Sequence, residues 1–191
     1  MLRRMLGALG VLFTVACSSS FAASTASAAE NSILVAYFSG TGTTERVANM
    51  LSEQLGADLY RINAKDPFTA EDLSYDPDSR ANQEKQHLDL RPEIADQVSN
   101  MEQYDTVLIG YPIWSERAPR IIATFLDSYD FADKTLIPFC TAYTSGIENS
   151  EQELRELYPQ LKWVHGQKFS STTTPEEVGA WLQQLQLQLK P

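Results

Sequence analysis

Ser39-Gly40-Thr41-Gly42-Thr43-Thr44 places four hydroxyls and two glycines in six residues, a set of groups that can hold an anion without any opposing charge. If such a loop stands at a helix N-terminus, its amides and hydroxyls replace the water around a phosphate, and the helix dipole favours the negative charge. Two other polar stretches carry flat side chains. Pro112-Ile113-Trp114-Ser115 brings Trp114, and Thr141-Ala142-Tyr143-Thr144-Ser145-Gly146 brings Tyr143; both aromatics can enclose a planar ring by offset stacking. Each feature alone has a plainer explanation, in surplus helix-capping residues or in aromatics of core and surface. Together they describe a site for a phosphorylated aromatic cofactor.

The elements around these loops decide whether they meet. Ile33 to Phe38 is almost continuously apolar, the pattern of a strand covered on both faces in a parallel sheet. Val47, Ala48, Leu51 and Leu55 then recur at helical spacing, and Gly56 can end that helix. Ala57 to Ile62 reads as a second strand and Thr106 to Tyr111 as a third, the latter running straight into the Trp114 loop. Pro119 suits the first turn of a helix whose apolar side is Ile121, Ile122, Phe125, Leu126 and Tyr129. Thr135 to Cys140 reads as a fourth strand, although Pro138 would ordinarily demote it to an edge or a bulge.

Ser150 with Glu153 reads as a capping box for a helix carrying Leu154 and Leu157, and Leu161 to Val164 as a short fifth strand. Thr174-Pro175-Glu176-Glu177 opens a last helix with Val178, Trp181, Leu182, Leu185 and Leu189 on its apolar face. Between Asn63 and Asn100 the charge density and Pro67, Pro77 and Pro92 leave only a peripheral helix near Ser79 to Gln86 and a short helical stretch from Glu93. Alternating strands and helices imply an open, mostly parallel α/β sheet with helices on both faces. Ligands of such sheets bind beyond the carboxyl ends of the strands, where all three loops lie.

Residues 1 to 28 have the parts of an export signal: Arg3 and Arg4, an apolar run from Leu6 to Ala16, and then small residues. That run is too short to span a bilayer. Candidate cuts fall after Ala22 and after Ala28. A third possibility is lipidation, since Thr14-Val15-Ala16-Cys17 resembles the lipobox of bacterial lipoproteins, with Thr14 where leucine is usual. In that form Ser18 to Asn31 is a Ser- and Ala-rich tether, and Cys17 is the one link to a membrane. The expected destination is the periplasm or cell envelope, and residues 31 to 191 are expected to form one domain.

The chain has 25 acidic and 15 basic residues, and loss of Arg3 and Arg4 takes its net charge from -10 to -12. Nucleic acid is a poor partner for such a surface. Cys140 has no intramolecular partner once Cys17 is removed or lipidated, and it sits in an apolar run, so it reads as a packing residue. His87 and His165 stand without the neighbours a metal site needs and read as solvated and structural side chains. Neither a catalytic nucleophile nor a metal site is expected.

Val35-Ala36-Tyr37-Phe38-Ser39-Gly40-Thr41-Gly42-Thr43-Thr44 resembles the phosphate signature of the flavodoxin family, with Ser39, Thr41, Gly42 and Thr44 on matching positions. Gly110-Tyr111-Pro112-Ile113-Trp114 is similar to that family's second flavin loop, and Ile137-Pro138-Phe139-Cys140-Thr141 to the strand leading to the third. The resemblance runs from about Ile33 to the C-terminus. It implies a flavodoxin-like, doubly wound five-stranded sheet in the order 2-1-3-4-5, a fourth strand that tolerates Pro138, and FMN bound non-covalently by the three loops. Two departures stand out: Ala142-Tyr143-Thr144 where many relatives have small residues, and a bulky, charged Ser115-Glu116-Arg117 after the tryptophan.

The expected function is that of an exported electron-transfer protein whose flavin carries the electrons, with a redox protein or a small quinone-type acceptor as partner. One alternative is an FMN-dependent NAD(P)H:quinone or nitro-compound reductase on the same fold. The other is an exported binding module without flavin.

Overall fold

Runs of apolar residues separated by glycine- and hydroxyl-bearing loops fold into a single parallel sheet. The structure is a computed structural model that describes residues 33–189 apart from Tyr75, with side chains as far as Gln186; the expected export signal, Cys17 and the side chain of Leu189 lie outside the described residues. The strands are β1 (Ile33–Tyr37), β2 (Asp58–Arg61), β3 (Thr106–Pro112), β4 (Thr135–Thr141), β5 (Lys162–Trp163) and β6 (Gln167–Phe169). Their order is β2-β1-β3-β4-β5, with β6 continuing the fifth position beside β4, and every pairing is parallel. This is the doubly wound order that the resemblance implies.

Side-chain alternation sorts the sheet into two faces. Leu34, Ala36, Val107, Ile109, Tyr111 and Leu136 face one core, and Val35, Tyr37, Leu108, Ile137 and Phe139 face the other. Helices α3 (Arg120–Asp127) and α4 (Glu148–Leu157) cover the first face through Ile121, Ile122, Phe125 and Leu154. Helices α1 (Thr43–Leu55) and α5 (Pro175–Leu189) cover the second through Val47, Leu51, Val178, Trp181 and Leu185. Each of these large side chains contributes roughly 1.5–3 kcal/mol by leaving water, so the two helical layers hold the sheet rigid beneath its loops. A seven-residue helix, α2 (Arg80–Gln86), lies at the periphery with Ser79 as its N-cap.

Four local expectations are corrected. No helix follows Glu93: Ala64 and Ile94 form an antiparallel bridge there, and the one 3₁₀ turn of the region is Met101–Gln103. Ser150 and Glu153 do not cap α4, which starts three residues earlier than the capping-box reading requires. The Ser150 hydroxyl donates to the Ile147 carbonyl, and Glu153 is bound by Arg117 and, at 2.7 Å, by Arg120. Of the two leucines of α4, Leu154 is buried and Leu157 exposed. Pro119 is the N-cap of α3 rather than part of its first turn, and Tyr129 lies past the helix end yet packs on Phe125 with ring centroids 5.3 Å apart.

At Pro138 the structure agrees with what the resemblance implies, and the fifth strand is split. Pro138 pairs with Ile109 inside a strand flanked on both sides, so it marks neither an edge nor a bulge. Its missing N–H is harmless because the fifth position is broken opposite it, between Trp163 of β5 and Gln167 of β6. Gly166 is required in that break, since a Cβ there would lie 2.1 Å from the Pro138 carbonyl oxygen.

Candidate functional site

The first loop leaves β1 at its carboxyl end and delivers the chain into α1. Gly42 stands at the helix N-cap with φ 88°, a left-handed conformation that disfavours a Cβ. Its N–H donates to the Ser39 Oγ at 3.1 Å, which fixes the loop's curvature. Among the described residues no side chain caps α1, so the first-turn amides of Thr43, Thr44 and Glu45 face outward without an acceptor. An added Cβ on Gly42 would meet nothing within 4 Å, so the space above the loop is open. The one acid of that turn, Glu45, is neutralised by Arg61 at 3.2 Å and also accepts from the Tyr37 hydroxyl.

The Thr44 and Thr141 hydroxyls meet at 2.7 Å, both buried, and this bond joins the first loop to the carboxyl end of β4. With Thr141 as donor, the Thr44 proton remains for a ligand. The second loop closes from the other side. Gly40 and Thr41 share a cavity of about 260 Å³ with Pro112, Ile113, Trp114 and Ser115. Trp114 is half-buried and meets Phe38 and Phe68 edge-on, with centroids 5.6 and 5.3 Å apart. A cavity of about 540 Å³ lies between the Met101–Asp105 and Ser128–Lys134 segments, before β3 and β4 begin. That is the wrong end of the sheet for a ligand of this architecture.

Not every residue expected at the site is drawn into the cavity. Ala142 and Tyr143 stand outside it, and Tyr143 is 95% exposed. Ser145 instead donates to the Glu116 carboxylate at 2.5 Å, and Gly146 lies against the Glu148 carboxylate. Conversely, Leu73, Ser74, Ala81 and Asn82 wall the cavity, and Leu73 packs directly on Gly40. Arg80 secures this excursion by lying 3.8 Å over the Phe68 ring and donating to the Asp66 carbonyl at 2.8 Å. No periodicity points to Leu73; the sequence places only the neighbouring helix near Ser79 to Gln86.

Burial shifts two titratable side chains beneath the loops. Burial pushes the Cys140 thiol up to about 12, so it stays protonated and packs as a small apolar group. Burial likewise raises Tyr111, whose hydroxyl pairs with Ser150 under the second loop. His165 is exposed and sits 3.0 Å from the buried Glu151 carboxylate, and His87 is the C-cap of α2. Among the described residues no cluster of three or more His, Cys, Asp or Glu is arranged for a metal.

A doubly wound sheet with an open helix start at its switch point and an aromatic loop beside it defines the flavodoxin-like class. The Flavodoxin family model matches residues 32–185, and the chain belongs to the flavodoxin family. It is similar to a candidate flavoprotein of Bacteroides eggerthii, at 42% identity and TM-score 0.78, covering 81% of this chain and 98% of that one. A Bacteroides uniformis counterpart matches at 41% identity and the same TM-score, over 80% and 98% of the two chains. A Lactobacillus acidophilus flavoprotein in complex with FMN shares the fold at 19% identity and TM-score 0.64, covering 80% and 99%. Comparison with curated proteins finds none that matches.

Proposed function

We propose that the chain is an exported electron carrier that holds FMN non-covalently at the carboxyl edge of its sheet. The observation that carries this reading is the uncapped start of α1, open to solvent above Gly42 and adjoining the cavity that Trp114 lines. Its donor set is neutral: amides and the hydroxyls of Thr41, Thr43 and Thr44 suit a phosphate ester, which they can replace water around without a lysine or arginine. Family membership and the FMN carried by the Lactobacillus acidophilus relative support the choice of cofactor. FMN supplies the redox chemistry when bound, and the protein supplies binding, orientation and electrostatics.

In this reading Ser39 and Gly42 shape the loop, the α1 amides orient the phosphate, and Trp114 shields one side of the ring from water. The acidic chain selects a basic redox protein or an uncharged quinone-type acceptor, and its charge disfavours added electrons on the ring. Residues 1 to 28 direct export, with Cys17 the point of attachment in the lipidated form.

The test is the visible spectrum of protein purified from its native compartment, followed by denaturation and identification of the released pigment. FMN in stoichiometric amount is expected; a colourless protein that takes up no added FMN overturns the reading. Stopped-flow mixing with NADPH gives the second arm. Slow flavin reduction is expected, and turnover at a catalytic rate with a quinone as acceptor makes the protein a reductase instead. Recovery of the chain in the cytoplasm with Met1 intact ends the export proposal.

A further inference from the structure

The turn after Trp114 is unusual for its residues. Trp114 N–H donates to the Arg117 carbonyl at 2.9 Å and Arg117 N–H to the Trp114 carbonyl at 3.1 Å, so Ser115 and Glu116 form a two-residue hairpin turn. Both have positive φ, 49° and 71°, the pattern of a type I′ turn. Asn-Gly meets that demand with little strain, whereas serine and glutamate in the left-handed region are strained.

What the side chains hold accounts for their presence. Glu116 accepts from the Ser145 hydroxyl of the third loop at 2.5 Å and from the Asn149 amide in the first turn of α4 at 3.0 Å. Arg117 donates to Glu153, one helical turn further along α4, and Glu153 also receives Arg120 at 2.7 Å. The hairpin is thereby fastened at two successive turns of one helix face, and the third loop is fastened to the hairpin. Trp114 is the residue immediately before the fastened turn.

We propose that Glu116 is a positioning residue for the flavin ring: with Arg117 it clamps the Trp114 loop and the third loop to α4, so that Trp114 meets the ring in one fixed orientation. The inference rests on the FMN reading above. Because Glu116 is exposed, each bond contributes modestly, and the effect is one of orientation at the ring end rather than of phosphate binding.

Two variants separate the clamp from the turn. Glu116→Ala removes the carboxylate, and Ser115→Asn with Glu116→Gly removes it while easing the turn. Both are expected to weaken FMN and riboflavin alike, by about fivefold to tenfold, with a changed visible circular dichroism of the bound ring. Melting temperature should hold or rise in the Asn-Gly variant, and Glu116→Gln, which keeps an acceptor for Ser145, should restore most of the affinity. An Asn-Gly variant that binds both flavins like the parent overturns the proposal, as does a loss confined to FMN. If the parent binds neither flavin, the FMN reading fails by itself. The clamp is then read by hydrogen exchange, where amides 113–117 and 142–145 exchange no faster in Glu116→Ala only if there is no clamp.

Discussion

Helices α1 and α5 both begin just past the carboxyl end of a parallel strand, and their first turns are finished in opposite ways. In α5 the Thr174 N–H donates to the Glu177 carboxylate at 2.9 Å and the Glu177 N–H to the Thr174 hydroxyl at 3.3 Å, so the chain satisfies its own amides. In α1 a glycine in the left-handed region takes the cap position and no side chain caps the turn. Helix α4 resembles α5 in effect, since Glu148 and Glu151 fill its first turn with negative charge. An anion site therefore arises where the chain withholds its own acceptors. Cavities with an aromatic wall adjoin the starts of both α1, beside Trp114, and α5, beside Phe169 and Trp181, so the open amides and not the aromatic wall set α1 apart.

Supplying α1 with an acid of its own should abolish the difference. Thr41→Asp puts a carboxylate on an exposed loop residue beside the open amides, where it competes with and repels a phosphate. FMN affinity is expected to fall on the order of 100-fold, riboflavin affinity far less, and the apoprotein's melting temperature to hold. Fluorescence titration with the two flavins measures this. Equal losses for both would take the phosphate away from α1.

Trp114→Ala probes the other half of the site. Lost stacking and burial should cost about 1–2 kcal/mol for FMN and riboflavin equally, because the indole meets the ring and not the phosphate. Tyr143→Ala should cost less, given that Tyr143 is exposed and outside the cavity. The reverse ranking would move the ring from the second loop to the third.

The α1–α5 contrast also marks what was legible in the sequence. Hydroxyls and glycines of the first loop, and the Thr174 box, are local signals, and local structure realises them. Ser150 and Glu153 have the same spacing as Thr174 and Glu177, but Arg117 and Arg120 arrive from more than thirty positions away and take the glutamate. Likewise, the break between β5 and β6 depends on Gly166, whose N–H donates to the buried Glu151 carboxylate at 3.1 Å and whose bare Cα clears the Pro138 carbonyl. Leu73 reaches the site only because Arg80 and Phe68 fold its excursion back over Gly40. Local motifs were readable because their partners lie within a few residues. Glu116, Leu73 and the split strand were not, because long-range contacts define them.

The smallest expected effect sharpens the comparison from the α5 side. Thr174→Ala removes the hydroxyl acceptor from the Glu177 amide, and loss of such a cap costs about 1 kcal/mol of stability. Neighbouring support limits the damage: Arg46 of α1 donates to the Ser170 and Thr173 carbonyls at 3.1 and 2.7 Å and keeps the approach to α5 in place. Urea unfolding should therefore show a midpoint shift at constant slope. FMN and riboflavin titrations should match the parent, because an end that closes itself has no amides to give a ligand. A drop in FMN affinity without a drop in riboflavin affinity would mean that the two helix starts are coupled through Arg46 and that the α1 cradle is not self-contained.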